Sequence, residues 1–410
     1  MRIALITDCN PLARAAGTSA HPAYLARALA RQGHRVTIYA REDGAAVART
    51  AILGRGVSIE RVQAGPARLL PAEEAARHTP QMAAYLADRW RAERPDVVHA
   101  FGWVSGLAAL GAVRDLDIPV VQTFGSLGVA EHRHAGNGVP ACRVKLETLI
   151  GRKAAVVLAG SCAEAADLAR MGVCRPAIKV VPAGVDTDLF SPAGERAPSG
   201  RVIRLVATAP AGQVAGLPAV LHAIARVPGT ELVIVGGPNA KHLPRTGPMR
   251  ELAQLATDLR IRSRVKFAGE VGTADLARLL RSADLMVSAA PYEPTGTAAI
   301  QAMACGTPVI ASAVGAHRDA VIDGTTGLLI APEHPAMLIQ RLRKLLSTPA
   351  LLDAYGIAAA DRARSRYSWE RIGRETAAAY ERCLPTAAPS DELAEDLAEA
   401  EGLEALAVSV

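Results

Sequence analysis

The chain has few aromatic residues, 3% of 410, and no basic cluster is interleaved with them. Few bases could stack on such a surface, so nucleic acid is not the expected partner. Cysteine is sparse as well. The six residues Cys9, Cys142, Cys162, Cys174, Cys305 and Cys383 form no CxxC pair and no metal-ligand spacing, which predicts reduced, mostly buried thiols in a cytoplasmic protein. Only six lysines are present, so arginine carries the positive charge. No run reaches the roughly 18 apolar residues of a membrane span. The start, MRIALITDCN, meets a charged, turn-rich segment too early for a signal peptide.

Lys and Arg are absent from Thr386 onward, where seven acids stand. The net charge of +6 therefore hides a body, residues 1–385, at +13. A basic body suits anionic small molecules or an acidic membrane surface, and a peripheral contact of the latter kind stays open; solvated arginine-rich helix faces explain it equally. The tail, 386–410, is read as disordered and acidic, with a sharper alternative in a weak leucine stripe (Leu393, Leu397, Leu403, Leu406) that could bind a protein partner.

At this length two domains are expected, and the pattern supports them. Arg2–Asp8, Arg35–Ala40, Asp96–Ala100, Pro119–Phe124 and Ala154–Gly160 read as short, nearly all-apolar strands. Helical stretches such as His21–Gln32 and Ser105–Arg114 alternate with them. Alternation of this kind predicts a parallel sheet with helices on both faces. Gly125–Val139 reads as a long His- and Gly-rich loop. Its Glu131-His132-Arg133-His134 lacks further ligands for a metal, so a solvated loop on the acceptor side is expected. Polar, unpatterned Ala193–Arg201 reads as a linker. The series then repeats with strands 202–208, 231–237, 264–270, 308–312 and 327–330, and closes on helices 335–347, 349–365 and 368–383.

The most informative stretch is Pro291-Tyr292-Glu293-Pro294-Thr295-Gly296-Thr297, followed by AAIQAMACGTPVIAS. An apolar strand (Ala283–Ala290) precedes it and a helix beginning near Gly296 follows it. In a parallel sheet this loop lies at the carboxyl end of its strand, where doubly wound folds bind ligands. A carboxylate there suits the paired hydroxyls of a sugar, and the free amides of a helix N-terminus suit a phosphate.

With Val314-Gly315 and Asp323-Gly324-Thr325-Thr326-Gly327, this stretch resembles the donor-site signature of retaining, nucleotide-sugar-dependent glycosyltransferases of family 4. His99, Trp103, Ser105 and Gly106 in VVHAFGWVSG and the GVD…F element near Gly184 match it too, and the resemblance covers roughly residues 1–385. It implies an α/β, GT-B fold of two doubly wound Rossmann-like domains with a crevice between them. The expected parts are an acceptor-side domain at 1–190, a linker at 191–201, a donor domain at 202–367, and a helix at 368–385 crossing back to the first domain. It implies transfer of a hexosyl group from a nucleoside-diphosphate sugar to a small-molecule or glycan acceptor, with no cofactor and no metal. Glu293 would hold the donor sugar, Gln301 the ribose, and Thr295, Gly296 and Thr297 the phosphate. Gly17 and Gly125 would line the acceptor and phosphate loop.

Several positions depart from the family pattern. Gln301 replaces a second glutamate, and Phe101 and Gly125 stand where histidines are usual. Pro210 and Ala215 stand where an arginine and a lysine usually hold the diphosphate. Lys241 and Arg245, in the loop Pro238–Gly247, are the candidate substitutes, against the plainer role of a solvated surface loop. An active transferase is the first reading, and a catalytically degenerate homologue acting as a binding or auxiliary protein is the alternative.

Overall fold

The computed structural model describes residues 1–12, 20–44, 48–135, 138–200, 202–210, 213–332 and 334–384. Two sheets organise them. The first contains β1 (Arg2–Thr7), β2 (Arg35–Arg41), β3 (Thr50–Gly54), β4 (Val57–Val62), β5 (Val97–Phe101), β6 (Val120–Thr123), β7 (Val156–Ala159) and β8 (Ile178–Val180). Their spatial order is β3-β4-β2-β1-β5-β6-β7-β8. All pairs are parallel except β3 with β4. The second contains β9 (Ile203–Thr208), β10 (Thr230–Val235), β11 (Val265–Gly269), β12 (Leu285–Ser288), β13 (Val309–Ser312) and β14 (Gly327–Ile330). It is wholly parallel, in the order β11-β10-β9-β12-β13-β14.

Both orders reverse direction once, between β1 and β5 and between β9 and β12. Those switch points open the crevices in which doubly wound sheets bind ligands, outside the carboxyl ends of the strands. The strands are apolar on both sides because helices cover both faces. Leu205 and Ile234 point into one core layer while Val206 and Val233 point into the other.

Three features differ from the sequence expectation. The hairpin β3–β4 extends the first sheet at one edge and was not legible, since its Gly-Arg-Gly turn interrupts two short, mixed-polarity runs. Helix Thr79–Ala92 starts at Thr79-Pro80 and buries Met82, Leu86 and Trp90, a stripe four residues apart. Gly128–Ala135 is a helix, not part of a loop; its two turns of mixed residues lack an apolar stripe and are held by tertiary ion pairs.

The last helix, Trp369–Glu381, lies on the first sheet. Ile372 and Tyr380 join the core formed by Ile3, Leu5, Leu25 and Leu29. Full burial of such side chains is worth about 1.5–3 kcal/mol each. The crossing is fixed where Val185 donates its amide to the Tyr367 carbonyl at 2.7 Å. There Trp369 stacks on Tyr24, with ring centroids 5.5 Å apart, and covers Gly184, where any Cβ would strike the indole. Among the described residues no helix is long and apolar enough to cross a membrane. The acidic tail, with its proposed partner role, lies outside the described residues.

The thiols correct one expectation. Cys305 is buried, but Cys142, Cys162 and Cys174 are exposed, and Cys9 and Cys383 lie between. Cys162 and Cys174 stand beside turns at the ends of a short helix, where apolar surroundings are scarce.

Candidate functional site

The centre is the turn after β12. Gly296 has φ +67° and caps helix Thr297–Ala304, a backbone state that favours glycine. Gly315, at φ +46°, passes so close to the Glu293 carbonyl that a Cβ would overlap it. Ala316 donates its amide to that same carbonyl at 2.9 Å, and the Ser312 hydroxyl donates to the Ala290 carbonyl. The loop after β13 thus fixes the backbone that carries Glu293.

The Glu293 carboxylate turns onto its own helix terminus. Oε1 accepts from the Gly296 amide at 2.9 Å, the Thr295 amide at 3.2 Å and the Thr295 hydroxyl at 3.3 Å. That is the capping arrangement favoured by orphan amides and the helix dipole. Oε2 has no hydrogen-bond partner among the described residues, and Glu293 is half-buried. Gln301 lies half-buried one turn along the helix, and its amide has no side-chain hydrogen bond among the described residues.

Beside Glu293 stands His317, which sequence reasoning missed because nothing in its spacing marked it. It is buried, with Nδ1 3.2 Å from the Ser312 carbonyl. Burial lowers its pKa and the Glu293 charge opposes that shift.

The turn is pressed against the first domain. Tyr292 stacks on His134 with centroids 5.2 Å apart and planes 6° apart, and its hydroxyl lies 3.4 Å from the Ser126 hydroxyl. Burial pushes the Tyr292 pKa up to about 12. Pro294 approaches Gly160, and Asp319 accepts from the Cys162 amide at 2.6 Å. Gly125, next to Ser126, has φ +74° and open space where a side chain would project. Gly125 and Glu293 therefore flank one inter-domain contact. Gly17 lies outside the described residues.

The segment Glu131-His132-Arg133-His134 is exposed from His132 to His134, as expected, but it is helical and ion-paired where a loop was expected. Arg143 bonds Glu131 at 2.8 Å and Glu147 at 2.7 Å, Arg133 bonds Asp167 at 2.8 Å, and Glu147 accepts from the Gly128 amide at 2.8 Å. These pairs hold the helix whose His134 meets Tyr292. No metal-binding group of three His, Cys, Asp or Glu side chains occurs among the described residues.

The loop after β9 lies beside the same turn, because Gly216 abuts the backbone at Ala289 and Ala290. Ala209 is buried, while Pro210 and Ala215 are exposed; Ala211 and Gly212 lie outside the described residues. Lys241 and Arg245 sit exposed after β10, the strand beside β9, and make no ion pair among the described residues. Asn239 caps their short turn by accepting from the Lys241 and His242 amides.

Deeper in the first domain, buried His99 has a structural task. Its Nδ1 is 2.7 Å from the Tyr380 hydroxyl and its Nε2 is 2.9 Å from the Thr123 hydroxyl. The ring thereby ties β5 and β6 to the returning helix. Phe101 packs on His99 and on His21.

Comparison with known proteins matches residues 206–362 to the family model "Glycosyl transferases group 1" and residues 15–189 to "Glycosyltransferase Family 4". A D-inositol 3-phosphate glycosyltransferase of Actinosynnema mirum is 32% identical over 391 residues, covering 89% of this chain and 92% of the relative. The chain belongs to the family 4 glycosyltransferases. The corresponding protein of Streptomyces scabiei is also 32% identical, over 89% of this chain and 86% of its own length. Among solved structures, sucrose-phosphate synthase of Thermosynechococcus elongatus superposes with a TM-score of 0.84 at 26% identity, covering 93% and 98% of the two chains. The Anabaena HepE protein, solved with UDP and glucose, gives a TM-score of 0.72 at 20% identity, over 92% and 98%, which speaks for fold alone. The GT-B expectation is met, and the relatives favour an enzyme over a degenerate homologue.

Proposed function

We propose that this glycosyltransferase moves a hexosyl group, with retention, from a nucleoside-diphosphate sugar to a small-molecule or glycan acceptor. The carrying observation is Glu293: one carboxylate oxygen is fixed by Gly296 and Thr295 in the turn after β12, and the other has no hydrogen-bond partner among the described residues. The fixed oxygen pre-orients the group, so little freedom is lost when sugar hydroxyls bind. Gln301 takes the ribose, accepting from one hydroxyl and donating to the other. Thr295 and Gly296 contribute backbone and Thr297 contributes the helix terminus, where amides stabilise the charge that grows on the departing phosphate. No cofactor or metal enters this scheme, and a chelator should leave the rate unchanged.

The diphosphate is held weakly. Two charge-assisted hydrogen bonds, at roughly 1.5–3 kcal/mol each, are missing at Pro210 and Ala215. That loss, about 3–6 kcal/mol, corresponds to roughly 10²–10⁴ in affinity. Lys241 and Arg245 are the cations that could recover part of it, since they are exposed on the neighbouring loop and make no ion pair among the described residues. The test is release of nucleoside diphosphate from a panel of donors by wild type, Glu293→Gln and the Lys241→Ala, Arg245→Ala pair. Turnover that Glu293→Gln abolishes supports the reading, and turnover indifferent to Glu293 contradicts it.

A further inference from the structure

Beneath the Glu293 turn, on the first-domain side, lies a carboxyl group that the transfer scheme does not use. Glu164 is buried in the first turn of helix Cys162–Arg170, which Ser161 caps by accepting from the Glu164 amide at 3.1 Å. In an ordinary capping box the acid reaches back to the amide of the cap residue itself. Here Oε2 reaches one residue further and accepts from the Gly160 amide at 2.7 Å. Gly160 is the residue that faces the other domain: a Cβ placed on it would lie 3.3 Å from Glu164 Oε2 and 3.8 Å from the Pro294 carbonyl oxygen. The second oxygen, Oε1, is buried and has no hydrogen-bond partner among the described residues.

An ionised oxygen in that state carries the full cost of desolvation, whereas a neutral acid does not. Burial pushes the Glu164 pKa up to about 7: the Gly160 amide favours the charge but does not offset the burial, and the like charges of Glu147, from helix Ala141–Lys153, and of Asp167, on Glu164's own helix, add to it. The nearby cations are committed elsewhere: Arg143 to Glu131 and Glu147, Arg133 and Arg170 to Asp167. Tyr292, packed from the second domain, feels the Glu164 charge as well.

We propose that Glu164 is a positioning residue that works as a neutral carboxylic acid, holding Gly160 as the seat on which the Tyr292–Pro294 segment, and hence Glu293, rests. Ionisation places an unpaired charge under that seat and loosens the turn. The inference rests on the donor-site reading for its catalytic consequence but not for its structural one.

The experiment measures amide hydrogen exchange at Thr295 and Gly296, corrected for intrinsic rate, at pH 6 and pH 8. It compares wild type, Glu164→Gln and Glu164→Ala, and follows UDP-glucose hydrolysis over the same pH range. Protection in the wild type should fall between the two pH values, stay high at both in Glu164→Gln, and be low at both in Glu164→Ala. Hydrolysis, where present, should follow the same pattern, with Glu164→Ala losing on the order of ten- to a hundredfold. The isosteric Gln variant keeps the test open if the Ala variant fails to fold. Glu164→Gln as loose as Glu164→Ala would show that the carboxylate is needed and overturn the proposal. Equal, pH-independent protection in wild type and Glu164→Gln would overturn it too. Exchange needs no donor, so an absence of hydrolysis with the predicted exchange pattern counts against the donor reading and leaves this inference standing.

Discussion

At the scale of single residues, Glu293 has two tasks that one substitution can separate. A Gln side chain still offers an oxygen to the Gly296 amide, so Glu293→Gln should lose at most about 1 kcal/mol of stability, the usual value of a cap. Its donor turnover should fall by about 10²-fold or more, since a neutral amide replaces the charged acceptor of two sugar hydroxyls. Thermal unfolding beside steady-state kinetics checks both halves. Gln301→Glu runs the other way: a second carboxylate facing the ribose should tighten the donor up to about tenfold, the equivalent of one improved hydrogen bond. Titration of UDP-glucose on both forms would show it. Away from the crevice, Tyr380→Phe removes the hydroxyl that pairs with His99 Nδ1 and leaves a buried ring nitrogen unpaired. A loss of about 1–3 kcal/mol in chemical denaturation is expected, without any change in donor affinity.

At the scale of elements, the site is a meeting of loops at the carboxyl ends of β9, β12 and β13. The sequence carries those loops unevenly. The strand–turn–helix around Glu293 was legible because Gly296, Gly306 and Pro308 punctuate it and because the helix has a regular apolar face. The alternation of short apolar strands was enough to read the doubly wound architecture. What could not be read depends on contacts far apart in the chain. Helix Gly128–Ala135 is held by Arg143 and Asp167, and nothing local distinguishes it from a polar loop. His317 and Glu164 acquire their character from burial, which no local spacing reports. The exposure of Cys142, Cys162 and Cys174 is likewise set by packing and not by spacing. The weakest element is the loop after β9, and it makes its own prediction. The paired change Pro210→Arg and Ala215→Lys should raise donor affinity by about 10²–10⁴. Isothermal titration that finds no gain would mean the diphosphate is held elsewhere, with Lys241 and Arg245 the first residues to test.

At the scale of the whole molecule, two buried titrations act on stability in opposite directions. His21, wedged between Phe101 and Trp369, has its pKa pushed down to about 4 by burial. Folding therefore favours its neutral form, and the stability it contributes is present above about pH 6.5 and is lost as pH falls toward 4. Glu164, raised to about 7, favours the folded state most below its unfolded value and withdraws that support as pH rises from about 4.5 to 7. Stability measured by denaturation at intervals between pH 4 and 8 should thus rise more steeply with pH in Glu164→Gln than in the wild type, because the opposing Glu164 contribution is gone. The central claim, however, is that the crevice at Glu293 takes a nucleotide sugar in spite of its missing cations. Its most direct measurement is the thermal shift produced by 1 mM UDP-, GDP- and ADP-sugars on wild type and on the Pro210→Arg, Ala215→Lys pair. A millimolar dissociation constant adds only about 0.4 kcal/mol to the wild type at that concentration, so a barely visible shift is expected for one donor, growing clearly in the paired variant. No shift in either protein, with both folded, would contradict the claim.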